Sequence, residues 1–252
     1  MRMKRLTVLA VCLCFVVTLG WIGYKRLQPS PPRQSLSLRS ATLDEVGLVW
    51  QECLQSQEYF DWKEVEGCFG HSMPLLSEAE KARYGERIDL DNFQLAIGQD
   101  IYRTDFNKGL FPTQRYTLYR NGRPVKTLRG EFGAHSPNIS LQNLGGRAVW
   151  EFADRNQATI VHDGQDIRQL YGLDKAYRPY SLAGKLIFIG QKGDKYFVVY
   201  DGLRIGPDFD EVVIAYCCEV VLYSVHFGEG RYLFSGTRGG QHYLVEITLS
   251  KD

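Results

Sequence analysis

The chain has no block of like charge. Its 30 Lys and Arg nearly balance 29 Asp and Glu, leaving a formal charge of +1 over 252 residues. Without a polybasic stretch, nucleic acid is excluded as the main partner. The phosphate-loop signature is missing, because Gly190–Lys195 (GQKGDK) lacks the Gly-Lys-Ser/Thr ending. No Gly-x-Ser-x-Gly nucleophile elbow occurs either. The five histidines, His71, His135, His162, His226 and His242, are dispersed without the spacing of a zinc helix. His135-Ser136 is an adjacent pair, and neighbours in sequence rarely form a base–nucleophile couple. These absences leave no expected catalytic, cofactor-binding or metal-ligating residue.

Apolar residues make up 44% of the chain, enough for a core. Their arrangement is clearest in Gly184–Gly202, GKLIFIGQKGDKYFVVYDG. Leu186–Ile189 and Tyr196–Tyr200 are β-branched and aromatic runs that suit a half-buried sheet. Gly190–Lys195 between them reads as a hairpin connection, and Asp201-Gly202 as a tight turn with positive φ.

The same pattern recurs. Gly146–Gly164 aligns without a gap 38 residues earlier: Gly146 falls on Gly184, Arg147 on Lys185, Trp150 on Phe188, Ile160-Val161 on Val198-Val199, and Asp163-Gly164 on Asp201-Gly202. Gly230–Val245 aligns 46 residues later, with Arg231 on Lys185 and Phe234 on Phe188. A weaker copy, Arg115–Gly122, keeps the second strand and an Asn-Gly turn. Self-similarity near 40 residues marks a repeat fold with one small antiparallel sheet per unit.

Gly-Lys-apolar-apolar-Phe, a polar turn, then Tyr-Phe-Val-Val-Tyr-Asp-Gly resembles the WD-repeat-like blades of TolB-type β-propellers, over about residues 110–252. The likeness implies a mainly β, propeller-like fold and no particular activity. The Trp-Asp dipeptide of typical WD repeats is absent. Three or four units fit, which leaves open a four-bladed ring, a partial ring completed by a second chain, or a β-sandwich.

Acidic residues cluster at Asp208, Asp210 and Glu211. They are the candidate binding loop, with oxygen ligands or a carboxylate pair as its chemistry. The likeness implies the opposite, since Gly-Pro-x-Phe/Tyr-Asp segments of such blades are structural turns. Phe132–Asn143 is a polar, nearly charge-free connection, and it contains the glycosylation sequon Asn138-Ile139-Ser140.

The N-terminal third differs. Arg2, Lys4 and Arg5 precede the uncharged, mostly apolar Leu6–Tyr24. Nineteen helical residues would span about 28 Å, near the thickness of a bilayer core. Trp21–Tyr24 offers no small-residue cleavage site, so the segment reads as an uncleaved anchor rather than a signal peptide. The short basic tail places the bulk of the chain outside the membrane. Pro29, Pro31 and Pro32 make Gln28–Ser40 an extended linker. Thr42–Tyr59 reads as a helix with a Thr42/Glu45 capping box and Val46, Val49, Trp50, Cys53 and Leu54 on one face. Ser77–Tyr84 reads as a second helix, capped by Ser77 and Glu80 and stopped by Gly85.

Of six cysteines, Cys53 and Cys68 form the candidate disulfide. Closing a loop of that length contributes about 3 kcal/mol in the chain-entropy model. Cys12 and Cys14 lie in the apolar segment, and Cys217-Cys218 lies in a strand-like run.

The organisation expected is therefore a tail and anchor over 1–26, a linker over 27–41, a helical segment over 42–87 and a β-repeat domain over 88–252. The expected function is a non-catalytic, extracytoplasmic module that binds a protein or a glycan. A carbohydrate-active hydrolase using loop carboxylates is the alternative.

Overall fold

A computed structural model describes residues 36–55, 62–71, 94–108, 113–131, 138–154, 156–214 and 225–250. These residues belong to one unit, Ser35–Asp252. They form four small, mainly antiparallel sheets. Sheet I is β3 (Gln94–Ile97), β4 (Asp100–Lys108), β5 (Thr113–Arg120) and β6 (Arg123–Glu131). Sheet II is β7 (Asn138–Leu144), β8 (Arg147–Ala153), β9 (Ala158–His162) and β10 (Gln165–Asp166). Sheet III is β11 (Lys175–Leu182), β12 (Lys185–Lys192), β13 (Lys195–Tyr200) and β14 (Leu203–Phe209), with β1 (Arg39–Ser40) parallel to β14 at its edge. Sheet IV is β17 (Arg231–Arg238) and β18 (Gln241–Leu249), flanked on one side by β15 (Glu211–Val212) and β16 (His226–Gly228). On its other side lies β2 (Leu48–Gln55).

The repeat alignment is reproduced in strand register. Trp150 pairs with Val161, Phe188 with Val199, and Phe234 with Val245. These are equivalent positions at shifts of 38 and 46. Asn121-Gly122, Asp163-Gly164 and Asp201-Gly202 each place both residues at positive φ. That is the turn geometry whose twist matches paired strands. The connection within sheet III is shorter than the sequence suggests, because β12 continues through Lys192. Asn138–Asn143 is also not a connection: it lies within β7, where Ile139 faces Phe152 and Leu141 faces Trp150 across the ladder.

Alternate residues on each strand face opposite neighbours, so consecutive sheets share separate cores. Sheets I and II bury Tyr116, Leu118, Trp150 and Phe152 between them. Sheets II and III bury Val149, Ile160, Phe188 and Val199. Sheets III and IV bury Ile189, Val198, Tyr232, Phe234 and Val245. Among the described residues the series does not close into a ring. The reason is visible on the far face of sheet IV. Helix α2 (Trp62–Phe69) packs Val65 onto Leu233 and Leu244 there, beside Cys53 and Cys68. At the other end, the far face of sheet I is polar: Arg103 pairs with Asp105 and Thr117 bonds Thr127. Capped, polar ends are what a stacked repeat array needs to stay soluble.

The expected helix over Thr42–Tyr59 is corrected. The capping box is real, with Glu45 and Thr42 bonded reciprocally, but helix α1 spans only Leu43–Val46. Gly47 in the left-handed conformation ends it. The chain then runs as β2, which pairs with β18 along its whole length. An unpaired edge of β18 outweighs weak helical periodicity, and Val49, Trp50 and Cys53 suit a pleated edge. Trp50 stacks on Phe209 at 6.3 Å and meets Phe234 edge-on at 6.0 Å. The first strand after the linker thereby completes the last sheet. Among the described residues no helix is long and apolar enough to cross a membrane. Leu6–Tyr24, Ser77–Tyr84 and Cys217-Cys218 lie outside the described residues.

Candidate functional site

Three hairpin turns meet at one end of the boundary between sheets II and III. Gly145-Gly146 joins β7 to β8, Ala183-Gly184 joins β11 to β12, and Asp201-Gly202 joins β13 to β14. The first two abut closely: a Cβ on Gly145 would lie 2.9 Å from the carbonyl oxygen of Gly184. Helix α3 (Ile167–Tyr171) follows β10, capped by the Asp166 side chain and ended by Gly172. It brings Tyr171 against the third turn, where a Cβ on Gly202 would meet the Tyr171 hydroxyl at 2.6 Å. Between these pieces lies a cleft of about 410 Å³.

Its apolar lining residues are Leu144, Ile167, Leu170, Leu186 and Phe188, of which Leu144, Ile167 and Phe188 are buried. The other lining groups are Arg147, His162, Gln165, Tyr171, Ser181, Lys185 and Asp201. Lys185 Nζ lies 3.1 Å from Asp201 Oδ2. The hydrogen bond to Asp201 raises the Lys185 pKa. Arg147 is exposed and pairs with no carboxylate among the described residues. Burial lowers the His162 pKa, and Arg147 lowers it further, against Asp163 and Asp201. His162 is therefore neutral at pH 7. Burial raises the Tyr171 pKa, with Asp201 adding to it, so its hydroxyl stays protonated. The cleft thus offers one unpaired guanidinium, one balanced ion pair, an imidazole and a phenol. Such a set suits hydrogen-bonded recognition of a small polar ligand.

The acidic residues singled out from the sequence lie elsewhere. Asp208 pairs with Arg204. Asp210 holds Lys195 Nζ at 2.5 Å and accepts the Gly239 N–H at 2.8 Å. Lys195, then the Gly239 N–H, keep the Asp210 pKa below the usual range. Glu211 is exposed on β15, opposite Thr237. Asp208 and Asp210 each balance a separate cation. Cys53 and Cys68 are joined as a disulfide with Cα atoms 5.9 Å apart. Among the described residues no group of three or more His, Cys, Asp or Glu could hold a metal ion.

Sequence reasoning met the cleft residues without recognising them. Arg147 and Lys185 stand in the sequence as repeat markers and His162 as one of the dispersed histidines. The usable signal was the basic residue after each turn glycine, which recurs at one end of every copy. Compared with protein-family models, curated proteins and solved structures, the chain matches none.

Proposed function

We propose that the chain is a non-catalytic binding module of blade-like β repeats, which takes a protein segment or a glycan in the cleft between sheets II and III. The cleft itself carries this reading: it is concave and presents donors and acceptors of several kinds. Its lining holds one carboxylate, Asp201, already engaged by Lys185. Glycoside hydrolysis in its usual forms needs two carboxylates across the scissile bond. The likeness to TolB-type blades supports the repeat architecture, and function is argued from the site because such folds host many activities. Leu6–Tyr24 serves in this reading as a membrane anchor, and the linker after it holds the module outside the membrane, its end (Leu36–Ala41) being tied into the module through β1.

The test uses the full chain in detergent against an immobilised panel of glycans and peptides, with reducing-end release measured in parallel. Retention of a ligand without turnover, weakened by Arg147→Ala or Lys185→Ala, is the expected result. Turnover of a glycan would replace this reading with the hydrolase. Resistance of the full chain to alkaline extraction from membranes checks the anchor.

A further inference from the structure

The binding reading leaves the ligand class open, and the repeats themselves narrow it. Arg147, Lys185 and Arg231 occupy equivalent positions at the start of the first strand of each hairpin. In sheet III, Lys185 is neutralised by Asp201. In sheet IV, Arg231 lies 3.5 Å from Glu229 and 3.9 Å from Glu246. Asp163 stands where Asp201 stands in sheet III, yet the Arg147–Asp163 pair does not form. Arg147 is thus the copy of this cation left without an acid among the described residues, and it lines the cleft together with the neutralised Lys185. The diagonal position on the next strand differs as well: opposite the residue two along from each cation (Val149, Ile187 and Leu233) stand His162, Tyr200 and Glu246.

We propose that the cleft binds a small polyhydroxylated anion, a sugar bearing one carboxylate or phosphate, with Arg147 as the anion contact. The inference rests on the binding reading above. A guanidinium presents a planar fork of donors that matches carboxylate and phosphate oxygens. With Lys185 and Asp201 cancelling, Arg147 leaves the cleft one positive charge that an anion would neutralise. Asp201, Gln165 and the Tyr171 hydroxyl can exchange hydrogen bonds with sugar hydroxyls. The cleft volume suits a small molecule. It also sits among turns at strand ends rather than along an open sheet edge, which disfavours an added peptide strand.

His162 makes the binding pH-sensitive. The charged groups that act on it are Arg147 and Asp163 from its own sheet and Asp201 from sheet III; Lys185 of sheet III and Tyr171 of α3 also line the cleft. Protonation adds a second positive charge beside Arg147, so anion affinity rises as the solution is acidified.

The test is calorimetric titration of the full chain in detergent with glucuronate, glucose 6-phosphate and glucose at pH 7.5 and 5.5. The expected result is that one or both anions bind at least about tenfold more tightly than glucose. The stronger of the two identifies the carboxylate or the phosphate as the native group. Arg147→Ala removes the preference without changing thermal unfolding, Arg147→Lys keeps part of it, and His162→Asn abolishes the gain at pH 5.5. Equal affinity for glucose, undiminished anion binding by Arg147→Ala, or no heat from any of the three probes overturns the proposal. If the panel experiment still retains a neutral glycan or a peptide through the cleft, the binding module stands and the anionic ligand falls.

Discussion

The Glu151 carboxylate of sheet II accepts the backbone N–H of Arg178 in sheet III at 2.7 Å. Arg178 sits at φ +53 in a bulge of β11, between the paired residues Tyr177 and Tyr180. Its carbonyl accepts the Tyr232 hydroxyl of sheet IV, also at 2.7 Å. One strained residue is therefore held by the sheets on both sides, and Glu151 is 5% exposed. Removing the carboxylate leaves a part-buried N–H without this acceptor, which costs about 1–3 kcal/mol. Glu151→Ala should lower stability by that amount, and Tyr232→Phe by about 1 kcal/mol. Chemical denaturation reads both. A Glu151→Ala loss below about 0.5 kcal/mol would show that the bulge holds its shape without this contact.

Gly206 in β14 lies at φ +65, and a Cβ there would run into the six-membered ring of Trp50. The backbone conformation and the close approach both require glycine. Gly206→Ala should destabilise by about 1–3 kcal/mol, lowering the melting temperature by about 2–4 °C per kcal/mol for a domain of this size. Gly193, at φ +60 with open space around it, supplies the control. Gly193→Ala carries the backbone strain without the collision, so it should cost less. An equal loss at both positions would remove the Trp50 contact as the cause.

The hairpins were legible because their information is local. Phe188, Val199 and the Asp201-Gly202 turn lie within one short stretch, and the same spacing recurs at Trp150 and Phe234. Strand β2 was not legible, because its partner β18 lies almost 200 residues away. Val49, Trp50 and Cys53 also satisfy a helical stripe until an edge is there to receive them. The cleft was half legible. Arg147 and Lys185 stood out as repeated cations, but the helix that closes the site and the missing Arg147–Asp163 pair exist only in three dimensions. Asp208 and Asp210 misled because proximity in sequence suggested shared chemistry. In the fold each carboxylate is drawn to a different cation.

Asp166 ties sheet II to sheet I through Lys126 at 2.6 Å, accepts the Thr159 hydroxyl at 2.8 Å, and has a side chain 3% exposed. Burial pushes its pKa up, but Lys126 and Thr159 outweigh that and hold it below the usual value. A folded-state pKa below the unfolded value of about 3.9 means stability that is present above that pH. It is lost as the pH falls through the folded-state value. Wild-type stability should therefore decline below about pH 4, and Asp166→Asn should flatten that decline. Lys126→Ala removes the main opposition to burial, so the folded-state pKa rises toward or above the unfolded value, stability near neutral pH falls, and the acid loss should shrink. Unfolding followed between pH 3 and 7 checks both, and identical profiles for all three proteins would remove Asp166 from the acid response.

The disulfide and α2 together occupy the face where a next sheet would pack. The Cys53–Cys68 bond closes a separation of 15 residues. Val65 is fully buried against Leu233 and Leu244, and His71 Nε2 meets Glu246 Oε2 at 2.5 Å. Replacing both cysteines with serine should cost about 3 kcal/mol. If the bond mainly pins the helix, the double variant should also speed hydrogen exchange in α2 and the facing residues of β17 and β18, and should bind a hydrophobic dye. Val65→Asp tests the packing separately, because it keeps the bond while burying a charge against leucine. It should expose the same face despite an intact disulfide. If Val65→Asp exchanges like the wild type while the serine variant does not, the covalent bond alone holds the cap. If both open the same residues, apolar docking and the cross-link act as one unit at the end of the repeat series.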